Sequence, residues 1–245
     1  MRKLNLTVCV VVALLAATPA FAGFQTNLGP SHSPNFPVGG GGSFGVDLQG
    51  GVPGNLIFGP SRGETWNGGA QSDQFGRTFC VELVTFNPGV WYNTTVDANI
   101  LWGSPGQLVN FTPGTRTVFA NYALNTPAIA GALAGVGFGQ LNGGWNYVMQ
   151  AYFWDQQLCG SNGNTWFNWL AGQANGAALQ NAYAALAALA PTGYEGGVRA
   201  LNLWGGAEYQ GDKQSQLVLV VPAPAAVLLG AIGLGLVGWV KRRLA

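Results

Sequence analysis

Charge is what this chain has least of. Only 8% of its 245 residues are charged, against a usual ~25% in soluble domains. It has one histidine, two methionines and three cysteines. The lone histidine, His32, cannot by itself form a metal site or the base of a catalytic triad. Acids are few and scattered, so no paired carboxylates stand out for acid–base work. These shortages count against a secreted hydrolase, and no cofactor motif is present. The five bases between residues 23 and 224 (Arg62, Arg77, Arg116, Arg199, Lys213) face nine acids, which leaves this part at −4. No basic patch exists for nucleic acid.

Gly59-Pro60-Ser61-Arg62-Gly63 spells the G-x-S-x-G nucleophile elbow. The helix that should follow the serine is absent, because Glu64-Thr-Trp-Asn-Gly-Gly is a poor helix former. His32 precedes the serine, against the expected order. The segment reads as a loop.

What the chain has is glycine, 39 residues, and apolar side chains, 48%. The two ends carry the plainest signals. Arg2 and Lys3 precede an apolar run, Val8–Ala17, and Ala20-Phe21-Ala22 fits the small-x-small rule for cleavage before Gly23. Residues 1–22 therefore read as a secretory signal peptide. At the other end, residues 225–240 form 16 positions without a polar or charged side chain, other than the indole of Trp239. As a helix they span roughly 24 Å, near the ~30 Å of a bilayer core. Trp239 suits the headgroup boundary, and Lys241, Arg242 and Arg243 place that end in the cytoplasm. Pro222 and Pro224 break regular structure before the apolar run.

This tail, residues 222–245, resembles the PEP-CTERM sorting signal. Val221-Pro222-Ala223-Pro224 matches the motif with Ala223 in place of its usual Glu. The resemblance implies an inner-membrane stage, recognition by an exosortase, removal of the tail, and delivery to the cell surface or outside. The role expected with such delivery is non-enzymatic, in adhesion or extracellular polymer, with extracellular polysaccharide or surface amines as partners.

Between the ends, residues 23–42 read as a Gly/Pro-rich entry segment and 43–221 as one ectodomain. Strands are expected at Ser43–Gln49, Asn55–Phe58, Arg77–Phe86, Val90–Val96, Ala98–Trp102, Thr115–Phe119, Val198–Trp204 and Gln214–Val221. Asn87-Pro88-Gly89 suggests that 77–96 is a hairpin. Trp145, Val148, Met149 and Tyr152 form one helical stripe, and Leu179, Tyr183, Leu186 and Ala190 another, with Asn175 as N-cap and Pro191 as stop. The expected fold is α+β: mostly antiparallel strand, with two or three helices inserted between residues 140 and 190. Eight of the nine tryptophans precede the tail and are candidates for sugar stacking or for core packing.

Two cysteines, Cys80 and Cys159, belong to the exported part. In an oxidising compartment a sole partner favours a disulfide. Thr78-Phe79-Cys80-Val81-Glu82-Leu83 resembles a segment common in PEP-CTERM ectodomains and the cysteine strand of Gram-positive thioester domains. Those domains carry Gln-x-Ala-Ile-Trp on a helix; Gln150-Ala151-Tyr152-Phe153-Trp154 keeps the Gln and Trp and lacks the Ala-Ile pair. That resemblance implies an internal Cys80–Gln150 thioester, a latent electrophile for surface amines. Disulfide, buried thiol and thioester are all open to Cys80. Alternation along the strand turns Cys80 away from Phe79, Val81 and Leu83 and toward a second layer, best supplied by the helix near 145–158.

The two ends predict a topology. A reporter fused after Ala245 is expected to be active in the cytoplasm while residues 23–221 lie outside it; activity only in the periplasm would refute this orientation.

Overall fold

The computed structural model describes residues 24–29, 43–61, 74–83, 87, 89–101, 108–140, 143–157, 164–189, 196–205, 215–221 and 241–242. Strands β1 (Phe24–Leu28), β2 (Ser43–Gly50), β3 (Leu56–Ile57), β4 (Arg77–Phe79) and β5 (Trp91–Asp97) are followed by β6 (Asn99–Leu101), β7 (Leu108–Asn110), β8 (Val198–Trp204) and β9 (Gln216–Val220). Helices α1 (Pro113–Ala123), α2 (Pro127–Leu133), α3 (Trp145–Gln156), α4 (Thr165–Ala171) and α5 (Gly176–Leu189) lie between β7 and β8. Seven strands form one sheet in the order β3-β9-β8-β5-β1-β2-β4, each neighbouring pair antiparallel. β6 and β7 form a separate two-stranded ribbon.

The sheet curls until its edges meet. Arg77 of β4 exchanges backbone hydrogen bonds with Gly59, just past β3 (N···O 2.8 and 3.0 Å). Cys80, just past β4, bridges Gln216 of β9. β3 and the end of β4 thus share the outer side of β9, one at each end. The Thr78 hydroxyl donates across this seam to the Leu217 carbonyl, and Val81 N donates to Ser215 O at 3.0 Å. Gly59 is required at the meeting point, since a Cβ there would sit 1.9 Å from the Tyr122 ring. At the far end of β9, Val221 N donates to Asn55 O (3.0 Å) while Asn55 Nδ2 donates to Val221 O (2.9 Å).

The α+β class and the antiparallel sheet agree with the sequence reading, but the balance does not. Helix takes more of the described residues than strand, and it begins at Pro113 rather than near 140. Thr115–Phe119, expected as a strand, lies inside α1. Its β-branched residues are overruled by a start signal: the Thr112 hydroxyl accepts from Thr115 N at 3.2 Å, and Pro113 takes the first helical position. Thr126 and Pro127 repeat the device at α2. Residues 77–96 are not a hairpin. β4 pairs with β2, and β5 pairs with β1 and β8. Within the segment read as a loose entry, residues 24–28 form β1, which lies inside the sheet between β5 and β2. Its alternating Phe24, Thr26 and Leu28 are all buried. The stripes on α3 and α5 are as expected, and Trp145, Val148, Met149, Tyr152, Leu179, Tyr183 and Leu186 are buried. Asn175 precedes α5 with a left-handed backbone (φ 62°). Residues 190 and 191 lie outside the described residues.

Phe79 is the aromatic centre of the joint between sheet and helices. Its ring centroid lies 5.3 Å from Tyr122, 5.4 Å from Phe153 and 6.0 Å from Trp145. This differs from the expected alternation, because both Phe79 and Cys80 meet α3. The strand stops at Phe79 and the chain bends over 81–83, so the two-residue period ends there; Leu83 is exposed rather than core.

One carboxylate ties the helices together. Asp155 near the end of α3 accepts from Trp166 N (3.0 Å) and Phe167 N (2.8 Å) in the first turn of α4, and from the Tyr183 hydroxyl of α5 (3.1 Å). Desolvation raises its pKa above the ordinary 3.8, although those donors pull the other way. Burial and the neighbouring Asp155 push the Tyr183 hydroxyl up as well. A carboxyl that holds its proton more tightly when folded contributes stability that is fully present at low pH and is lost as pH rises through its folded value. The stability of the wild type relative to Asp155→Asn is therefore expected to fall as pH rises from 3.8 upward through the carboxylate range. Urea denaturation across that range checks the slope; a rise would contradict it.

Candidate functional site

Cys80 and Gln150 are 70 residues apart in sequence and in contact in the fold. The Cys80 thiol donates to Gln150 Oε1 at 3.2 Å, and Gln150 Nε2 donates to the Cys80 carbonyl at 2.7 Å. Both residues are 0% exposed. A backbone carbonyl can only accept, so it fixes the NH2 of the carboxamide toward itself and the oxygen toward sulfur. Gln150 Cδ, the carbon bonded to both those atoms, is thereby presented beside the thiol. Gln150 lies at the edge of the apolar stripe of α3, and it turns inward.

A second polar rung crosses the same joint. Arg77 Nη1 donates to Ser43 Oγ (2.8 Å), whose hydroxyl donates to Asn146 Oδ1 (2.6 Å). Asn146 and Gln150 are four apart on α3 and share one face. Arg77 and Cys80 are three apart at β4. The two rungs fix the height and rotation of α3 against the sheet. Fully buried polar groups cost several kcal/mol unless paired, so this register is the one that satisfies them.

On the other side of Cys80 the seam is also polar. Glu82, which is 1% exposed, accepts from Ser215 N at 3.0 Å. The Ser215 hydroxyl donates to Asn202 Oδ1 (2.7 Å), and Asn202 Nδ2 donates to Asp97 Oδ2 (2.7 Å). Thr95 also donates to Asp97 Oδ2, at 2.6 Å. A chain of polar side chains thus runs from the seam beside Cys80 to half-buried Asp97.

Of the two partners expected for Cys80, the described residues contain Gln150, toward which the thiol is directed. The described residues contain no disulfide, and Cys159 lies outside them.

The remaining candidates are soon placed. Val221 follows β9, and Lys241 and Arg242 are helical and exposed. Ala20, Ala22, Gly23, His32, Pro222, Ala223, Pro224 and Arg243, with the apolar run 225–240, lie outside the described residues. Among the described residues no helix is long and apolar enough to cross a membrane, and no group of three metal-binding side chains occurs. Ser61 stands in a loop, with no helix assigned at it. Trp145, Trp154, Trp166 and Trp204 are buried, which makes them core rather than a sugar platform. Trp91 and Trp169 are half-buried, and Trp66 and Trp102 lie outside the described residues.

Sequence reasoning named Cys80 and Gln150 but not Ser43, Asn146, Ser215 or Asn202. Asn146 had one usable signal, a carboxamide four residues before another within the mostly apolar first part of its helix. Ser215 and Asn202 had none, because their partners come from distant strands. No family model, curated protein or solved structure matches the chain.

Gln150→Leu removes the carboxamide that donates to the Cys80 carbonyl and accepts from its thiol. The expected cost is about 1–3 kcal/mol, read as a lower urea midpoint with an unchanged slope. No shift in midpoint would show that the contact contributes nothing to the joint.

Proposed function

We propose that the chain is an exported cell-surface or extracellular-matrix protein whose ectodomain closes an internal thioester between Cys80 and Gln150 and uses it once, to attach covalently to an amine on another surface. The observation that carries this reading is the reciprocal contact, with sulfur 3.2 Å from the carboxamide oxygen in a site closed to solvent. The leader-like residues 1–22 and the tail 222–245 support export and exosortase sorting. The Phe-Cys-Val-Glu-Leu segment and the Gln-x-x-x-Trp spacing support the chemistry.

The steps balance without a metal, cofactor or oxidant. The Cys80 sulfur attacks Gln150 Cδ, the C–N bond breaks, and the thiol proton leaves with the amide nitrogen as ammonia. The fold supplies the proximity that turns this into an intramolecular reaction. In the second stage a primary amine attacks the same carbon, an amide forms, and sulfur leaves with the amine's proton as the restored Cys80 thiol. Because the acyl group stays on the protein, there is no turnover, and the role is adhesion rather than catalysis. Burial serves the first product by keeping water from it.

The test is the mass of the unreduced protein. The wild type is expected to be lighter than its sequence by one ammonia, and methylamine is expected to add one molecule at Gln150. Cys80→Ala should show neither change. A wild-type mass equal to the sequence mass, with no methylamine uptake at Gln150, would exclude the thioester.

A further inference from the structure

We propose that the cleft between the start of α3, the segment 135–140 and the turn joining α4 to α5 binds a neutral carbohydrate. The site is separate from Cys80, and its chemistry does not depend on the thioester.

The cleft encloses about 660 Å³, within the ~300–1,000 Å³ usual for small-molecule sites. Val136 and Leu179, both buried, form its base. Half-buried Tyr147 forms one wall, and half-buried Gln173 lies beside it. Gln140, Ala174 and Asn175 are exposed at the rim, so the mouth opens to solvent. Much of the remaining lining is glycine backbone. A Cβ on Gly143 would lie 2.3 Å from the Gly137 carbonyl oxygen, so the back wall is built by a close approach that only glycine permits.

The lining selects a class of ligand. Among the described lining residues none is charged, and three are carboxamides, Gln140, Gln173 and Asn175. Each carboxamide offers both a donor and an acceptor, the complement of a hydroxyl group, which also gives and takes. An anion would find no cation among these residues. An apolar ligand would strip water from the carboxamides and return no hydrogen bond. A sugar ring supplies hydroxyls for the carboxamides and C–H groups to pack on the negative face of an aromatic ring such as that of Tyr147.

The wall and rim are fixed before anything binds. The Tyr147 ring lies 5.8 Å from Trp169, which lies 6.4 Å from Trp166, itself 4.7 Å from the buried Trp154. A file of four rings thus runs from the core to the cleft wall. The Gln140 N–H donates to Gly137 O (3.0 Å), and the Gln140 carbonyl accepts from Trp145 Nε1 (2.7 Å). The Gln173 carbonyl accepts from Gly176 N (2.9 Å), and the Asn175 carbonyl from Leu179 N (3.1 Å). Side chains carried on a backbone held in this way lose less freedom when the cleft is filled.

The experiment probes an array of neutral and acidic oligosaccharides with the full chain and titrates the strongest neutral binder by calorimetry. Neutral oligosaccharides are expected to bind, with a Kd insensitive to salt because no charge pair is made. Ala178→Trp fills the cleft and should abolish binding, whereas Ala177→Trp, at the exposed neighbouring position off the lining, should leave it unchanged. Gln140→Ala and Asn175→Gly remove exposed rim groups, and glycine suits the left-handed backbone of Asn175 (φ 62°). Each is expected to weaken binding about five- to tenfold. If Ala178→Trp lowers the melting temperature, these two variants decide. Binding of no neutral oligosaccharide, binding of acidic ones alone, or an affinity unmoved by Gln140→Ala and Asn175→Gly would overturn the proposal. Cys80→Ala is expected to bind as the wild type does, so failure of the thioester would leave this result standing.

Discussion

The carboxamide of Gln150 is one of two polar rungs between the sheet and the helices, and it sits where the sheet closes. Gln150 gives its N–H to the carbonyl of Cys80 and takes the S–H of the same residue, so one side chain on α3 holds both the backbone and the side chain of the residue that closes the sheet. The closure of the sheet and the seating of the helical layer are thereby one event. If α3 turned or slid by one residue, the Gln150–Cys80 and Asn146–Ser43 bonds would both be lost. The polar rungs specify the register, and the rings around Phe79 supply the attraction.

That arrangement places polar side chains where a small domain would usually bury only apolar ones. Arg77, Glu82, Asn146, Gln150, Asn202 and Gln216 are all essentially inaccessible. Most of them lie at the joint or the seam rather than among the remaining strands, whose inner faces carry residues such as Val46, Leu201 and Leu203. Interior polarity is costly unless it is paired, and Thr26, Asn27, Thr115, Thr117 and Asp155 are buried elsewhere in the fold.

How much of this could be read in advance depended on how local each signal was. β2 alternates through Phe44, Val46 and Leu48, β9 is a short apolar run, and α3 and α5 carry their stripes; all appear near where the sequence places them. The closed sheet was not legible, because Arg77 meets Gly59 and Cys80 meets Gln216 through pairings that no local period encodes. Thr115–Phe119 was misjudged by weighing β-branched residues above the Thr112-Pro113 start. At the site, Cys80 and Gln150 could be named from their residue types and motif spacing. The pairing of Cys80 could not be, since Gln150 stands at the border of its stripe and only the height of α3 turns it inward.

The end of β9 has a mechanical meaning. Val221 and Asn55 hold each other by two hydrogen bonds, at the opposite end of the strand from Gln216. Tension applied to the chain beyond Val221 would run along β9, which is flanked by β3 and β8, and would load those ladders in shear with the Asn55 clamp taking the first strain. Strands loaded in this way must break their bonds together rather than one at a time. Pulling on that end would therefore be absorbed along β9 before it reached Cys80.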